Sequence, residues 1–344
     1  MHRFHAATTG ISAAAIGTLI LAAGCSTGGS QGSPMAPIGQ TAAAAHGAIS
    51  TQAAEFQGQV RRARHPLKRG AGWLSPQAKS CKSKLFVSSY RLGYVSIYCT
   101  TGRNQAPIGQ ITAGIETPEG AATDKQGNFY VTNTNANTVT EYAPNTTTPA
   151  FTYSTGLTFP AGITVDRKQN VYVSSLSPAS VEVFPHRTNS PSLTIPSTQI
   201  PYPIDIALDK AGNVYVTTYT ASFSNGIIIK YPPGSAQGTD LGIDTAGPGG
   251  IVIDKAKNIV TGDQRLPGVL VFPPGATSPS STFGTNEVDP DPVRMNAKET
   301  RAYVGDGVGN AVNVYAYPSG TLVNTIYDGI DGPFGLALDP AAPQ

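Results

Sequence analysis

Histidine is scarce in this chain: five in 344 residues, of which only His186 lies in the repeating part of the sequence. One imidazole cannot make a zinc-holding histidine cluster, and it leaves a Ser-His-Asp relay short of parts; it is expected at the surface. Charge is thin as well, with 13% of residues charged and a net formal charge of +2. From residue 84 onward 15 Lys and Arg face 20 acids. Without a basic stripe there is nothing to hold a phosphate backbone, which argues against nucleic acid. No Walker loop or dinucleotide fingerprint is present. Gly305-Asp-Gly-Val-Gly-Asn310 has glycines but lies between strand-like segments, with no helix to receive a phosphate. Long apolar runs are missing too, since the stretch from Ile11 to Leu21 is too short to span a bilayer.

What is abundant is 38 Gly and 28 Pro, too many for a helical protein. Tyr231-Pro-Pro-Gly234 and Phe272-Pro-Pro-Gly275 punctuate short alternating segments, which reads as all-β. With 40% apolar residues, a single large β domain of roughly 250 residues can bury a sufficient core.

One phrase recurs, best seen as Pro160-Ala-Gly-Ile-Thr-Val-Asp166-Arg-Lys-Gln-Asn170-Val-Tyr172-Val-Ser174. Pairing each proline with its sixth following residue gives Pro118/Asp124, Pro160/Asp166, Pro203/Asp209, Pro248/Asp254, Pro292/Lys298 and Pro333/Asp339. A period in the forties with several short strands per unit is the signature of propeller blades. The Asp-to-Asn link is a tight hairpin in which Asp accepts backbone N–H bonds and Gly or Asn takes the left-handed position. Tyr142, Phe184, Tyr231, Phe272 and Tyr315 echo one another on the third strands and are expected to pack between blades. The sixth copy ends after its innermost strand. Lys84–Ser89, Tyr94–Tyr98 and Ile108–Ile111 match the missing strands, so the chain is expected to form a six-bladed β-propeller closed by a composite blade from both termini.

The N-terminus has a short cationic region, a weakly apolar stretch, then Leu21-Ala-Ala-Gly24-Cys25, which resembles a bacterial lipobox. The resemblance implies a signal peptide at 1–24 and lipid on Cys25, hence export and a membrane anchor. In a Gram-negative host Ser26 favours the outer membrane, at its periplasmic face or the cell surface. Residues 25–80 read as a tether, with a basic run at Arg61, Arg62, Arg64, Lys68 and Arg69. Trp73 and Leu74 are expected to begin its docking onto the propeller at 81–344. With Cys25 given to lipid, Cys81 and Cys99 remain, at the two ends of a hairpin that brings them together. A disulfide is expected there, since an exported compartment permits oxidation.

The phrase resembles the NHL-type repeat of bacterial six-bladed propellers and, more distantly, is similar to YncE-like and SMP-30/gluconolactonase-like propellers. These families include scaffolds, ligand binders, lactonases and lyases. The start of each innermost strand and the end of each second strand are expected to meet at one rim of the channel. Ser89, Asn133, Ser175, Thr218, Asp263 and Asp306 end the second strands and suit a hydrated mouth. Asp205 and Arg294 depart from the glycine otherwise found two residues after the proline. Glu119, Asn133, Asp205, Asp263, Arg294 and Asp306 are therefore the rim candidates. Asp205, Asp263 and Asp306 could converge on Ca²⁺ and activate water on a lactone or ester; alternatively Arg294, between the blades of Asp263 and Asp306, pairs with those acids. The metal motifs of the SMP-30-like family are absent where this chain has Pro118-Glu-Gly120 and Pro203-Ile-Asp205. The leading reading is thus a membrane-anchored module binding a protein, peptide or glycan at the rim. A metal-dependent hydrolase and a purely structural envelope protein are the alternatives.

Overall fold

The computed structural model describes residues 72–102, 106–196 and 198–340; the expected signal peptide, Cys25 and the tether through residue 71 lie outside the described residues. The described residues form an all-β, six-bladed propeller of five four-stranded sheets and one five-stranded sheet.

Blade one shows how local chemistry builds each sheet. Pro118–Thr123, Phe129–Asn133, Thr138–Tyr142 and Pro149–Tyr153 pair in order, each antiparallel to the next. Asp124 makes the first turn. Its Oδ1 accepts from the N–H groups of Gln126 and Asn128, both at 2.9 Å, and its Oδ2 accepts from Asn128 Nδ2 at 2.8 Å. Asp166, Asp209 and Asp254 repeat this pattern. The left-handed position is the residue before the Asn, not the Asn itself. It is glycine at Gly127 and Gly212, but Gln169 (φ 66°) and Lys257 (φ 67°) take it in blades two and four. The aspartate bonds on either side hold these side-chain-bearing residues where glycine is otherwise preferred.

Blade five corrects the repeat register. Pro290 pairs with Asp306 as Pro118 pairs with Asn133 and Pro248 with Asp263, so this copy starts at Pro290, not Pro292. Its turn residue is Asn296 rather than Lys298. The Asn296 Oδ1 accepts from Thr300 N at 2.8 Å and Arg301 N at 3.0 Å, doing the work of the missing aspartate.

In the five-stranded sheet, Pro333–Asp339 pairs along its length with Lys84–Ser89, followed by Tyr94–Cys99, Gly109–Ile111 and the edge strand Trp73–Leu74. The body therefore begins ahead of the expected boundary at 81. A short helix, α1 (Pro76–Ser80), follows the edge strand, and Ser75 Oγ caps it by accepting from Ala78 N at 3.2 Å. Cys81 and Cys99 form a disulfide with a Cα–Cα distance of 5.9 Å, tying the end of α1 to the third strand.

The core is six layers, one between each pair of neighbouring blades. Each sheet alternates along its strands, and both of its faces are covered by neighbours. Tyr142, Phe184, Tyr231, Phe272 and Tyr315 are buried in these layers. Each large apolar side chain so buried contributes roughly 1.5–3 kcal/mol.

Candidate functional site

Strand alternation gives the propeller two unlike faces. Blade-to-blade crossovers and second-to-third-strand hairpins emerge on one, the crossover face; the other turns emerge on the opposite, turn face.

Between them the channel narrows at the second residue after each repeat proline: Gly120, Gly162, Asp205, Gly250, Pro292 and Gly335. A Cβ on Gly162 would lie 2.5 Å from Ile204 O, and one on Gly250 would lie 2.5 Å from Asp291 O. Glycine is needed because the inner strands approach so closely. Two residues further on, Ala122, Thr164, Ala207, Val252, Arg294 and Ala337 line the wider half of the channel toward the turn face, a cavity of about 80 Å³.

Arg294 enters this channel and pairs with Asp205, at 2.8 Å and 3.2 Å to the two carboxylate oxygens. It does not pair with Asp263 or Asp306, contrary to expectation, because the corrected register moves it down the strand to the cavity level. Asp205 also accepts from Ile251 N at 3.0 Å.

The residues ending the second strands are buried and do not line a hydrated mouth. Each is bonded to its blade's own crossover loop. Asn133 Oδ1 accepts from Glu116 N at 3.0 Å, Ser175 Oγ from Thr158 N at 2.8 Å and Thr218 Oγ1 from Tyr202 N at 3.1 Å. Ser89 Oγ donates to Gly329 O at 3.2 Å. Asp263 accepts from Ala246 N, Gly247 N, Arg265 N and Leu266 N at 2.8 to 3.0 Å. Asp306 accepts from Val288 N, Asp289 N and Gly309 N. These small polar side chains are loop clamps, and their shared polarity answers to orphan backbone N–H groups and, at Ser89, to a carbonyl.

The donor arrangement does not fit the expected Ca²⁺ site. Asp205 is held by a guanidinium, and Asp263 and Asp306 spend their oxygens on separate loops. Among the described residues no group of three or more His, Cys, Asp or Glu is placed to hold a metal ion. His186 is not a free surface residue either. Its Nε2 lies 3.3 Å from Oε1 of the fully buried Glu141, which also accepts from Arg187 at 3.0 Å.

The crossover face carries Glu119, expected at the rim, and Asp289 and Asp291, which the shifted register concealed. Glu119 Oε2 accepts from Thr134 Oγ1 at 2.8 Å, and desolvation raises its pKa to about 7. Burial and the neighbouring Asp306 raise Asp289 to about 7; burial and Asp289 raise Asp291 well above the usual carboxylate range. Glu119, Asp289 and Asp291 form no ion pair among the described residues. Around them lie aromatic pairs, Tyr90 edge-on to Phe334 at 5.5 Å and Tyr202 against Phe223 at 3.8 Å, with Arg265 over Tyr219 at 5.0 Å. Of the six exposed large hydrophobics among the described residues, four are on this face: Phe159, Leu266, Val288 and Val308, 37 to 56% exposed. Counting the fifth copy from Pro290 would have placed Asp289 and Asp291 beside their repeat proline, at the rim.

A family profile described as "Beta-propeller repeat" matches residues 193–225. No curated protein matches the chain. Among solved structures it is similar to a chain of the nidogen/laminin complex, at 16% identity and a TM-score of 0.62, covering 74% of this chain and 98% of that one. It is also similar to the hydrazine synthase of Kuenenia stuttgartiensis, at 14% identity and a TM-score of 0.55, covering 77% and 87%. A functionally unknown protein of Desulfotomaculum acetoxidans DSM 771 aligns at 16% identity with a TM-score of 0.53, covering 76% and 99%. At such identities the likeness is one of fold.

Proposed function

We propose that the protein is an exported, lipid-anchored binding module of NHL-type repeats that engages a protein, peptide or glycan partner through its crossover face. The observation that carries this reading is the concentration of exposed apolar side chains there, Phe159, Leu266, Val288 and Val308, beside carboxyls that form no ion pair among the described residues. Apolar anchors around a polar centre are what a binding surface needs. The rim role is thereby moved from Asn133, Asp263 and Asp306, which clamp loops, to the side chains those loops present.

The test places a photo-crosslinking residue at Leu266 or Val308, and a control at Gln126 on the turn face, in the chain expressed in its own envelope. The expected result is a discrete adduct from the crossover-face positions that Phe159→Asp weakens. Equal labelling from Gln126, or no adduct at any position, overturns the reading.

A further inference from the structure

The turn face has its own chemistry, which the binding reading does not use. In blades one to five the first turn exposes a lysine: Lys125, Lys168, Lys210, Lys257 and Lys298. None forms an ion pair among the described residues. The aspartates beside them are turned inward. Asp124, Asp166, Asp209 and Asp254 give both oxygens to turn N–H groups and the following Asn amide. The cations thus stand furthest out.

The distribution is one-sided. Among the described residues no crossover-face loop contains a lysine, and the two arginines there, Arg91 and Arg265, are held by Asp331 and by the Phe223 and Ser224 carbonyls. The same loops carry Glu116, Asp289, Asp328 and Asp331, with Glu119 at the start of the adjoining strand. A lysine kept only for solubility has no reason to avoid one face. The charge therefore reverses from one end of the propeller axis to the other, and an anionic plane would attract one end and repel the other.

Where the chain enters the body adds a second line. Gly72, the first described residue, packs against Thr147 in a turn-face loop, a Cβ there lying 3.0 Å from Thr147 Cβ. The basic run Arg61, Arg62, Arg64, Lys68 and Arg69 immediately precedes it in sequence. A basic run adjacent in sequence to this entry point, together with a ring of lysines on the turn face, favours one surface over a discrete ligand.

We infer that the turn face docks on an anionic lipid bilayer through Lys125, Lys168, Lys210, Lys257 and Lys298, holding the crossover face outward for its partner. The choice of lipid over another polyanion rests on the anchored reading of Cys25. Each lysine near such a surface strengthens binding about fivefold.

The test uses the full chain with Cys25→Ala, so that no acyl chain contributes, and measures sedimentation with phosphatidylcholine vesicles containing or lacking 30% phosphatidylglycerol. The neutral vesicles report any apolar contribution from residues 11–21. Binding is expected only with phosphatidylglycerol, lost in 0.5 M salt, and weakened roughly a hundredfold or more by joint Lys→Gln change at the five turns. Thermal unfolding of that variant should match the parent, since the side chains are exposed. Equal binding to both vesicles overturns the inference, as does loss on changing Arg61, Arg62 and Arg64 to Gln with none on changing the turns. Turn-dependent binding to soluble polyphosphate without vesicle binding also overturns it. Mass spectrometry of the unmutated chain tests the lipid on Cys25 separately, so failure of the anchor and failure of the face are distinguishable.

Discussion

Arg294 of blade five reaches past blade four to clasp Asp205 of blade three, 2.8 Å and 3.2 Å from its two carboxylate oxygens. The same carboxylate accepts from Ile251 N of blade four at 3.0 Å, so one pair gathers three consecutive blades. Removing one partner strands the other charge inside the channel. Arg294→Met is expected to lower the unfolding free energy by roughly 3–5 kcal/mol, and Asp205→Ala/Arg294→Ala to cost less than the two single changes together. Guanidinium unfolding of Arg294→Met, the two single alanine variants and the double variant measures this. Strict additivity would show that the pair is not coupled.

Asp263 should behave as a loop clamp. Asp263→Ala leaves four backbone donors without their acceptor, and a loss of several kcal/mol is expected at roughly 1–3 kcal/mol per orphaned group. Asp263→Asn keeps one oxygen and should lose less. The loss is expected to be the same with EDTA and with Ca²⁺. A saturable Ca²⁺ stabilisation that disappears in Asp263→Ala would instead restore the hydrolase reading.

Glu287 sets a pH dependence. It is 1% exposed, accepts from Asn313 Nδ2 and Tyr315 OH, and burial, with the nearby Asp306, raises its pKa from 4.5 to about 8. An acid whose folded pKa is raised favours folding while protonated, so its contribution is full below about 4.5 and is lost progressively as pH rises to about 8. Glu119 and Asp289 act in the same direction up to about 7. The melting temperature should therefore fall between pH 4.5 and 8, and Glu287→Gln should flatten the upper part of that slope. A variant with the parent's pH profile would remove Glu287 as its source.

The Cys81–Cys99 bond closes a short loop of sequence separation 18, for which the chain-entropy account gives about 3 kcal/mol. Cys81→Ala/Cys99→Ala should lose about that much. Because the bond ties the end of α1 to the third strand of one blade, faster hydrogen exchange should concentrate in Lys84–Cys99. Uniform acceleration through all six blades would show instead that the bond governs global unfolding.

The fold was readable because it depends on local chemistry repeated along the chain. An aspartate that satisfies the same turn in four blades, a proline at the same strand start, and alternating apolar residues each mark their own element. The register failed only in blade five, where Pro290 and Pro292 offer two starting points and Asn296 replaces the aspartate. That slip of two residues put Arg294 at the rim and left Asp289 and Asp291 out of it.

The candidate site was less readable because it depends on direction. The same small polar residue suits either a wet channel mouth or a buried loop clamp, and the bonds of Asn133, Asp263 and Asp306 decide for the clamp. The pairing of Arg294 with Asp205 joins residues far apart in sequence and on non-adjacent blades. By itself, then, the sequence determined the number of blades, the four strands of each and the residues between blades, since these follow from neighbours along the chain. Only the tertiary structure decided which carboxylates are neutralised, which are left at the crossover face, and that the lysines gather at the other end. Those outcomes depend on which way each strand runs once the ring is assembled.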